Sequence, residues 1–183
     1  MKILTLHCDY IRFKALKKAF KDAEELKDKE EKTVNECLVV LTAVEKGDND
    51  AVLAQMIEAV KKTAGEVKTN TIVLYPYAHL SSNLAPPATA LEYLVQAEAT
   101  LKQEKYAVTR APFGHYKQFE LKVKGHPLSE LSKEFKPSDM KSEKAEEKIL
   151  VEHYDPHQLL REISRTKLDT SKLRDNDHRI LGQ

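Results

Sequence analysis

Residues 75–82 read Tyr-Pro-Tyr-Ala-His-Leu-Ser-Ser and follow directly on the run Thr-Ile-Val-Leu at 71–74. A buried strand that runs out into two aromatics, a proline, an imidazole and two hydroxyls puts hydrogen-bonding groups at a strand end. Ligands of α/β proteins gather at such ends. Three further segments have a similar mix: His-Cys-Asp-Tyr at 7–10, Ala-Pro-Phe-Gly-His-Tyr-Lys-Gln-Phe at 111–119 and Gly-His-Pro-Leu-Ser-Glu-Leu at 125–131. Four strand ends of this kind can share one cleft. Taken singly, each is accounted for by an ordinary capped turn, and Lys117 by a solvated strand lysine.

Other chemistries lack their residues. No Gly-x-Ser-x-Gly elbow, P-loop or Gly-x-Gly-x-x-Gly occurs, and five glycines are too few for phosphate cradles. His153 and His157 have the spacing of helical metal ligands, but Asp155-Pro156 between them starts a helix and leaves His153 outside it, with no further ligand nearby. No metal and no cofactor is expected. Cys8 and Cys37 lack Cys-x-x-Cys spacing and read as buried, reduced thiols.

The elements that must position these groups alternate. The chain has 183 residues, 41% of them hydrophobic, enough for a sizeable core. Its 30 basic and 29 acidic residues leave a net charge of +1, so any nucleic-acid contact must be local rather than drawn by a long-range field. No apolar run is long enough to span a membrane and the N-terminus lacks a secretory pattern, which predicts a cytoplasmic protein.

Strands are predicted at 2–7, 37–46 and 71–77. Helices are predicted from Asp50, capped by Asp48 or Asp50, and after Pro86-Pro87. The first helix would bury Val52, Met56, Ala59, Val60 and Val67, the second Leu91, Leu94, Val95 and Leu101. Segments 106–113 and 116–124 read as two strands around a turn at Gly114. Between the first two strands, Phe13, Leu16, Phe20 and Ala23 recur at helical spacing within a charged stretch, which predicts a peripheral helix or mobile excursion over 12–33. The order is mostly βαβαββ, an α/β fold with a mixed sheet and packed helices.

Composition changes after residue 135. Segment 136–148 has one Met and no other large apolar side chain, the mark of a charged linker. Residues 149–183 hold one helix signal, with Asp155 as N-cap and Pro156 at its first position.

Taken together, in this order and spacing, the motifs His-Cys-Asp-Tyr, Tyr-Pro-Tyr-Ala-His-Leu-Ser-Ser, Ala-Pro-Phe-Gly-His-Tyr-Lys-Gln-Phe and Gly-His-Pro-Leu-Ser-Glu-Leu-Ser closely resemble the N-terminal editing domain of archaeal threonyl-tRNA synthetases over residues 1–135. The resemblance implies a fold like that of the D-aminoacyl-tRNA deacylases. It also implies hydrolysis of serine wrongly attached to tRNA(Thr), a homodimer, and no contact with DNA or membrane. Segment 168–183 resembles the lead into a synthetase catalytic core, so the chain is expected to be an editing fragment that does not aminoacylate. The rivals are a free-standing D-aminoacyl-tRNA deacylase and a catalytically silent tRNA-binding or synthetase-interaction module.

Carried over by motif, His79, Lys117 and Glu130 surround the scissile ester. Lys117 offers a point charge to carbonyl or water, Glu130 holds that ammonium, and His79 orients the adenosine or relays a proton. Tyr116 lines the pocket, and backbone groups of Tyr77 and Ala78 recognise the terminal adenosine and amino acid. Pro76 restricts the chain there, Val44 forms an apolar wall, and His7 and Asp9 contribute from the first motif. Two positions depart from the family pattern: Cys8 stands where Ser is commoner, and His115 where an aromatic is commoner.

Overall fold

In a computed structural model, described for residues 1–21, 23–26 and 30–137, residues Met1–Met140 form one compact unit. Its elements run β1 (Lys2–Lys18), β2 (Lys32–Ala43), α1 (Asp50–Glu66), β3 (Thr71–Pro76), α2 (Pro87–Gln103), β4 (Ala107–Arg110), β5 (His115–Val123) and β6 (Glu130–Glu134). One six-stranded sheet has the order β4-β3-β2-β1-β5, and β6 also pairs with β1. β2, β3 and β4 are parallel, whereas β1 runs antiparallel to β2, β5 and β6. The class is the expected one, α/β with a mixed sheet and packed helices. No helix among the described residues is long and apolar enough to cross a membrane.

Alternation of side chains on β2 and β3 divides the core. Leu38, Val40, Ile72 and Leu74 face α1 and α2, while Cys37, Val39, Leu41, Val73 and Tyr75 face the other way. α1 presents Val52, Met56 and Val60 to the first layer, all at most 1% exposed and each stabilising by roughly 2 kcal/mol. Its cap is Asn49, not the expected Asp48 or Asp50: Asn49 Oδ1 accepts from the Val52 amide at 3.0 Å. Asp48 is engaged elsewhere, accepting from the Met1 amino group at 2.6 Å and the Glu45 amide at 2.7 Å. On α2 the buried stripe is Ala90, Leu94, Ala97 and Leu101. Leu94 and Leu101 were expected there, but Val95 is 45% exposed.

The largest departure lies in the first strand. β1 does not stop at residue 7 but continues to Lys18, so the helix proposed within 12–33 is absent at its start. Ile11, Phe13 and Ala15 are buried in period two, and that period prevails over the helical spacing of Phe13, Leu16 and Phe20 because β1 has hydrogen-bonded neighbours on both sides. The switch occurs at Asp9 and Glu36, the one position where β1 and β2 skip a pair. Glu36 has φ 46° there, and both strands change which face carries the apolar side chains.

β4 and β5 do not form the hairpin expected around Gly114. They lie at opposite edges, β4 beside β3 and β5 beside β1, and Gly114 carries the chain between them. β6 has no signature in the sequence, because three of its five residues, Glu130, Lys133 and Glu134, are charged and none is buried. The linker over 138–148, the helix signal at 155–156 and the His153/His157 pair fall outside the described residues.

Phe135 closes the unit. Its amide donates to the Met1 carbonyl at 2.8 Å, and its carbonyl accepts from the Met1 amino group at 2.9 Å. A chain ended after Phe135 keeps this pair. It is expected to unfold cooperatively within about 3 °C of the full chain, a difference under about 1 kcal/mol; a non-cooperative or much lower transition in differential scanning calorimetry would place residues beyond 135 in the folding unit.

Candidate active site at the ends of β2 and β3

The C-terminal ends of the parallel strands β2 and β3 open onto a cavity of 480 Å³. The floor is Thr42 and Ala43 of β2 with Val44 just after it, and Tyr75 and Pro76 of β3, and one wall is Tyr77, Ala78 and His79. Ala90 and Leu94 of α2 close one side. Phe113, Gly114 and the start of β5 (His115, Tyr116, Lys117 and Phe119) close the other, with Ala19 and Phe20 just beyond β1.

Of the expected site residues, Val44, Pro76, Tyr77, Ala78, His79, Tyr116 and Lys117 meet at this cavity. The other three do not. Glu130 is paired with Leu6 in the β1–β6 register and is exposed, so it does not hold the Lys117 ammonium. His7 is 8% exposed, with Nδ1 2.8 Å from His126 Nε2. Asp9 is salt-bridged to Lys124 at 2.5 Å and Lys122 at 3.0 Å, which hold its carboxyl below the usual range. The first motif thus belongs to the middle of β1, where the sheet switches faces, and not to a strand end.

Residues 77–85 are tied to the end of β2 and to the two residues that follow it. The Tyr77 amide donates to Thr42 O at 2.8 Å, the Ala85 amide to Val44 O at 2.9 Å, and the Ser81 hydroxyl to the Glu45 carboxylate. The Tyr77 N–H, one of the backbone groups of Tyr77 and Ala78 that the motif offers to a ligand, is therefore taken up by the sheet. Residues Ala78–Leu80 make one 3-10 turn whose first internal bond is Leu80 N–H to Tyr77 O. The Ala78 and His79 amides precede that bond. The His79 ring is exposed and sits edge-on to Tyr77, with centroids 5.3 Å apart.

Lys117 is the chemically unusual group. Its Nζ donates to the carbonyls of Pro112 at 2.9 Å and His115 at 3.3 Å, and lies 5.1 Å from the Tyr75 ring centroid. An ammonium has three donors, so one remains for the cavity. Burial disfavours its charge and lowers the pKa to about 8, against a smaller opposing effect of the Glu24 carboxylate. Tyr75, Tyr77, Phe119 and Phe13 pack behind it with centroids 5.5 to 6.4 Å apart.

Glu24 escaped the sequence reading. Its carboxylate receives two hydrogen bonds from the Arg110 guanidinium, at 2.6 and 2.8 Å, and one from the Phe113 amide at 3.1 Å. Arg110 also donates to Glu98 of α2 at 2.8 Å. These bonds, led by that to Arg110, hold Glu24 ionised below the usual carboxylate range. They pin the stretch after β1 against the cavity, where Phe20 packs edge-on to Phe113. In sequence, Glu24 is one charge among many, and only the fold shows that it faces Arg110.

Cys8 and Cys37 lie directly opposite one another in the β1–β2 register and are fully buried, as expected. Burial raises their thiols to about 11 and about 12.

Fold comparison with solved structures gives the c-Myc DNA Unwinding Element Binding Protein at a TM-score of 0.55 and 13% identity, covering 73% of this chain and 98% of that one. Their shared property is the fold. Sequence relatives include threonine–tRNA ligases of Methanoregula boonei (50% identical over 145 residues), Methanococcus maripaludis strain C7 (46% over 159) and Nanoarchaeum equitans (43% over 153). These alignments cover 76, 84 and 82% of the chain, and the chain spans about a quarter of each relative's length. The profile of the archaea-specific editing domain of threonyl-tRNA synthetase matches residues 1–135, and the chain belongs to that family.

Proposed function

We propose that this chain hydrolyses the ester linking L-serine to the 3′ end of tRNA(Thr), and that the cavity at the ends of β2 and β3 is where it does so. The need for such an activity is physical. Threonine exceeds serine by one methyl, which supplies only about 1 to 3 kcal/mol of discrimination in a binding pocket, so a synthetic site for threonine leaks serine and a second site must remove it. The observation that carries the reading is Lys117, a half-buried ammonium with one donor to spare that lines the same cavity as Ala78 and His79.

In this mechanism the aminoacylated 3′ nucleoside enters the cavity and the amides of Ala78 and His79 meet its polar groups. Lys117 places its free N–H on the ester carbonyl oxygen, where negative charge develops as water adds to the carbon, or else serves to position that water. His79 stands at the mouth, exposed, to orient the nucleoside or pass a proton to solvent. Val44 and Ala43, both buried, supply apolar surface against which a threonine methyl competes for space. Residues beyond 135 are dispensable for hydrolysis on this reading. The protein works as a homodimer, which sedimentation equilibrium tests.

The deciding experiment compares deacylation of L-seryl-, L-threonyl- and D-aminoacyl-tRNA(Thr) by the full chain. Hydrolysis of the L-seryl ester well above the other two is expected. Preference for the D-aminoacyl ester would identify a D-aminoacyl-tRNA deacylase instead, and binding without turnover a silent tRNA-binding module.

No three His, Cys, Asp or Glu side chains converge as metal ligands among the described residues, and a zinc site needs three or four such donors. Hydrolysis of seryl-tRNA is therefore expected to proceed at an unchanged rate in EDTA. Loss in EDTA with recovery on adding zinc would overturn that.

A further inference from the structure

The distal half of β1 carries a one-sided charge pattern that the cavity does not use. From Tyr10 to Lys21 the chain holds Arg12, Lys14, Lys17, Lys18 and Lys21 and no acidic residue. Arg12 is shared between Glu31 at 3.5 Å and Glu120 at 3.7 Å, and Lys18 is paired with Glu25. Lys14, Lys17 and Lys21 are exposed and form no ion pair among the described residues. Glu24, the carboxylate that would otherwise lie near them, is turned inward onto Arg110.

This cationic edge adjoins the cavity mouth. Lys18 pairs with His115 in the β1–β5 register, the Ala19 amide donates to Gly114 O at 2.8 Å, and Ala19 and Phe20 line the cavity. Two exposed apolar side chains lie among the cations: Leu16 at 52% and Tyr116 at 55%, with Lys17 Nζ 5.5 Å from the Tyr116 ring centroid. Lysines interleaved with an exposed aromatic are the composition of a single-stranded nucleic-acid surface, where ammonium groups follow phosphates and rings stack on bases. At about 3.3 Å per strand residue, Lys14 to Lys18 alone cover about 13 Å. That length is enough to follow more than one phosphate of a single strand.

We propose that the edge formed by Lys14, Lys17 and Lys21, with the exposed face of Tyr116, is the contact surface for the RNA phosphodiester backbone immediately preceding the esterified nucleotide. The proposal rests on the preceding reading for which nucleotide occupies the cavity. A net charge of +1 gives this protein no long-range pull on RNA, so its affinity for a polyanion depends on local contacts, and this edge lies beside the cavity mouth.

The test is the full chain carrying Lys14→Gln, Lys17→Gln and Lys21→Gln together, assayed on seryl-tRNA(Thr) and on 3′-O-seryl-adenosine, which has no phosphate. We expect kcat/KM on the tRNA to fall about 10-fold or more through KM. The slope of log affinity against log salt should drop by about 2, three contacts at roughly 0.7 each, with seryl-adenosine turnover unchanged. Equal losses on both esters, or an unchanged salt slope, would overturn the proposal. If the parent hydrolyses neither ester, the function proposed above fails while this surface is still tested. A fluorescein-labelled oligoribonucleotide with the 3′-terminal sequence of uncharged tRNA(Thr) should then bind the parent and bind the triple variant at least 10-fold more weakly. Undiminished binding would refute the RNA contact and leave the edge to an acidic protein surface.

Discussion

Lys117→Met is expected to slow hydrolysis of seryl-tRNA(Thr) by about 100-fold or more without loss of the fold. Methionine is an unbranched side chain of similar length, so it fills the place where the Lys117 chain carries its Nζ to 5.1 Å from the Tyr75 ring centroid. What disappears is one N–H positioned for developing negative charge, and removing one such donor from a hydrolase site costs on the order of 100- to 1000-fold. Stability argues the same way. Burial lowers the Lys117 pKa to about 8, below its unfolded value of about 10.4, so the folded chain carries a destabilised ammonium at neutral pH. Replacing it with a neutral side chain removes that cost but also the hydrogen bonds to the Pro112 and His115 carbonyls, about 1 kcal/mol each, so the thermal midpoint of Lys117→Met near pH 7 should stay within about 4 °C of the parent.

The same lowering gives a pH signature. Below about 8 the ammonium predominates and above it the amine does. If the ammonium is the working form, the ratio of parent to Lys117→Met rates is largest below about pH 8 and declines as pH rises through it. Taking the ratio cancels the hydroxide-driven rise common to both proteins. A ratio that instead increases through that range would make the neutral amine the active species, acting as a base. A Lys117→Met protein as fast as its parent would move the catalytic weight to His79 or to the tRNA itself.

How much of this site was legible before the fold was known depends on how each residue is placed. Tyr77, Ala78, His79 and Val44 continue parallel strands whose apolar runs are unmistakable, and the ends of such strands adjoin by construction. Lys117 follows the Gly114 turn and reaches the same cavity. Glu130 lies away from the cavity for a reason no motif carries: the β1–β6 register sets it opposite Leu6, on the far side of β1 from β2. His7 and Asp9 lie away from it because β1 does not end after them. The alternation that extends it to Lys18 changes face at Asp9, so neither a strict two-residue nor a helical period fits the whole stretch. Glu24 and Arg110 meet only because a tip beyond one strand folds over the end of another, a contact between distant segments with no local signature.

That fold-over depends on Gly114, and Gly114→Ala is the second substitution expected to have a large effect. Gly114 has φ 75°, and a Cβ there would lie 2.8 Å from both Ala23 Cβ and Phe20 Cζ and 3.0 Å from Ala23 Cα. Gly47 separates the two penalties, since its φ is 89° but nothing lies within 4 Å of its Cβ position. Gly47→Ala should cost only the backbone term, about 1 kcal/mol. Gly114→Ala adds overpacking of about 1 to 3 kcal/mol, because one of the atoms in the way is backbone and cannot turn aside. We expect it to lower the thermal midpoint clearly more than Gly47→Ala does. It should also speed amide exchange at Ala19 and Ala23, whose N–H groups bond Gly114 O and Phe20 O, and raise KM for seryl-tRNA as Phe20 leaves the cavity wall. In Gly114→Ala with Ala23→Gly, the Ala23 Cβ is gone while the Phe20 and backbone contacts remain, so partial recovery is the expected result. If Gly114→Ala and Gly47→Ala prove equally mild, with Ala19 and Ala23 still protected, then the stretch after β1 is not wedged against this turn, and its hold on the cavity rests on the Glu24–Arg110 pair alone.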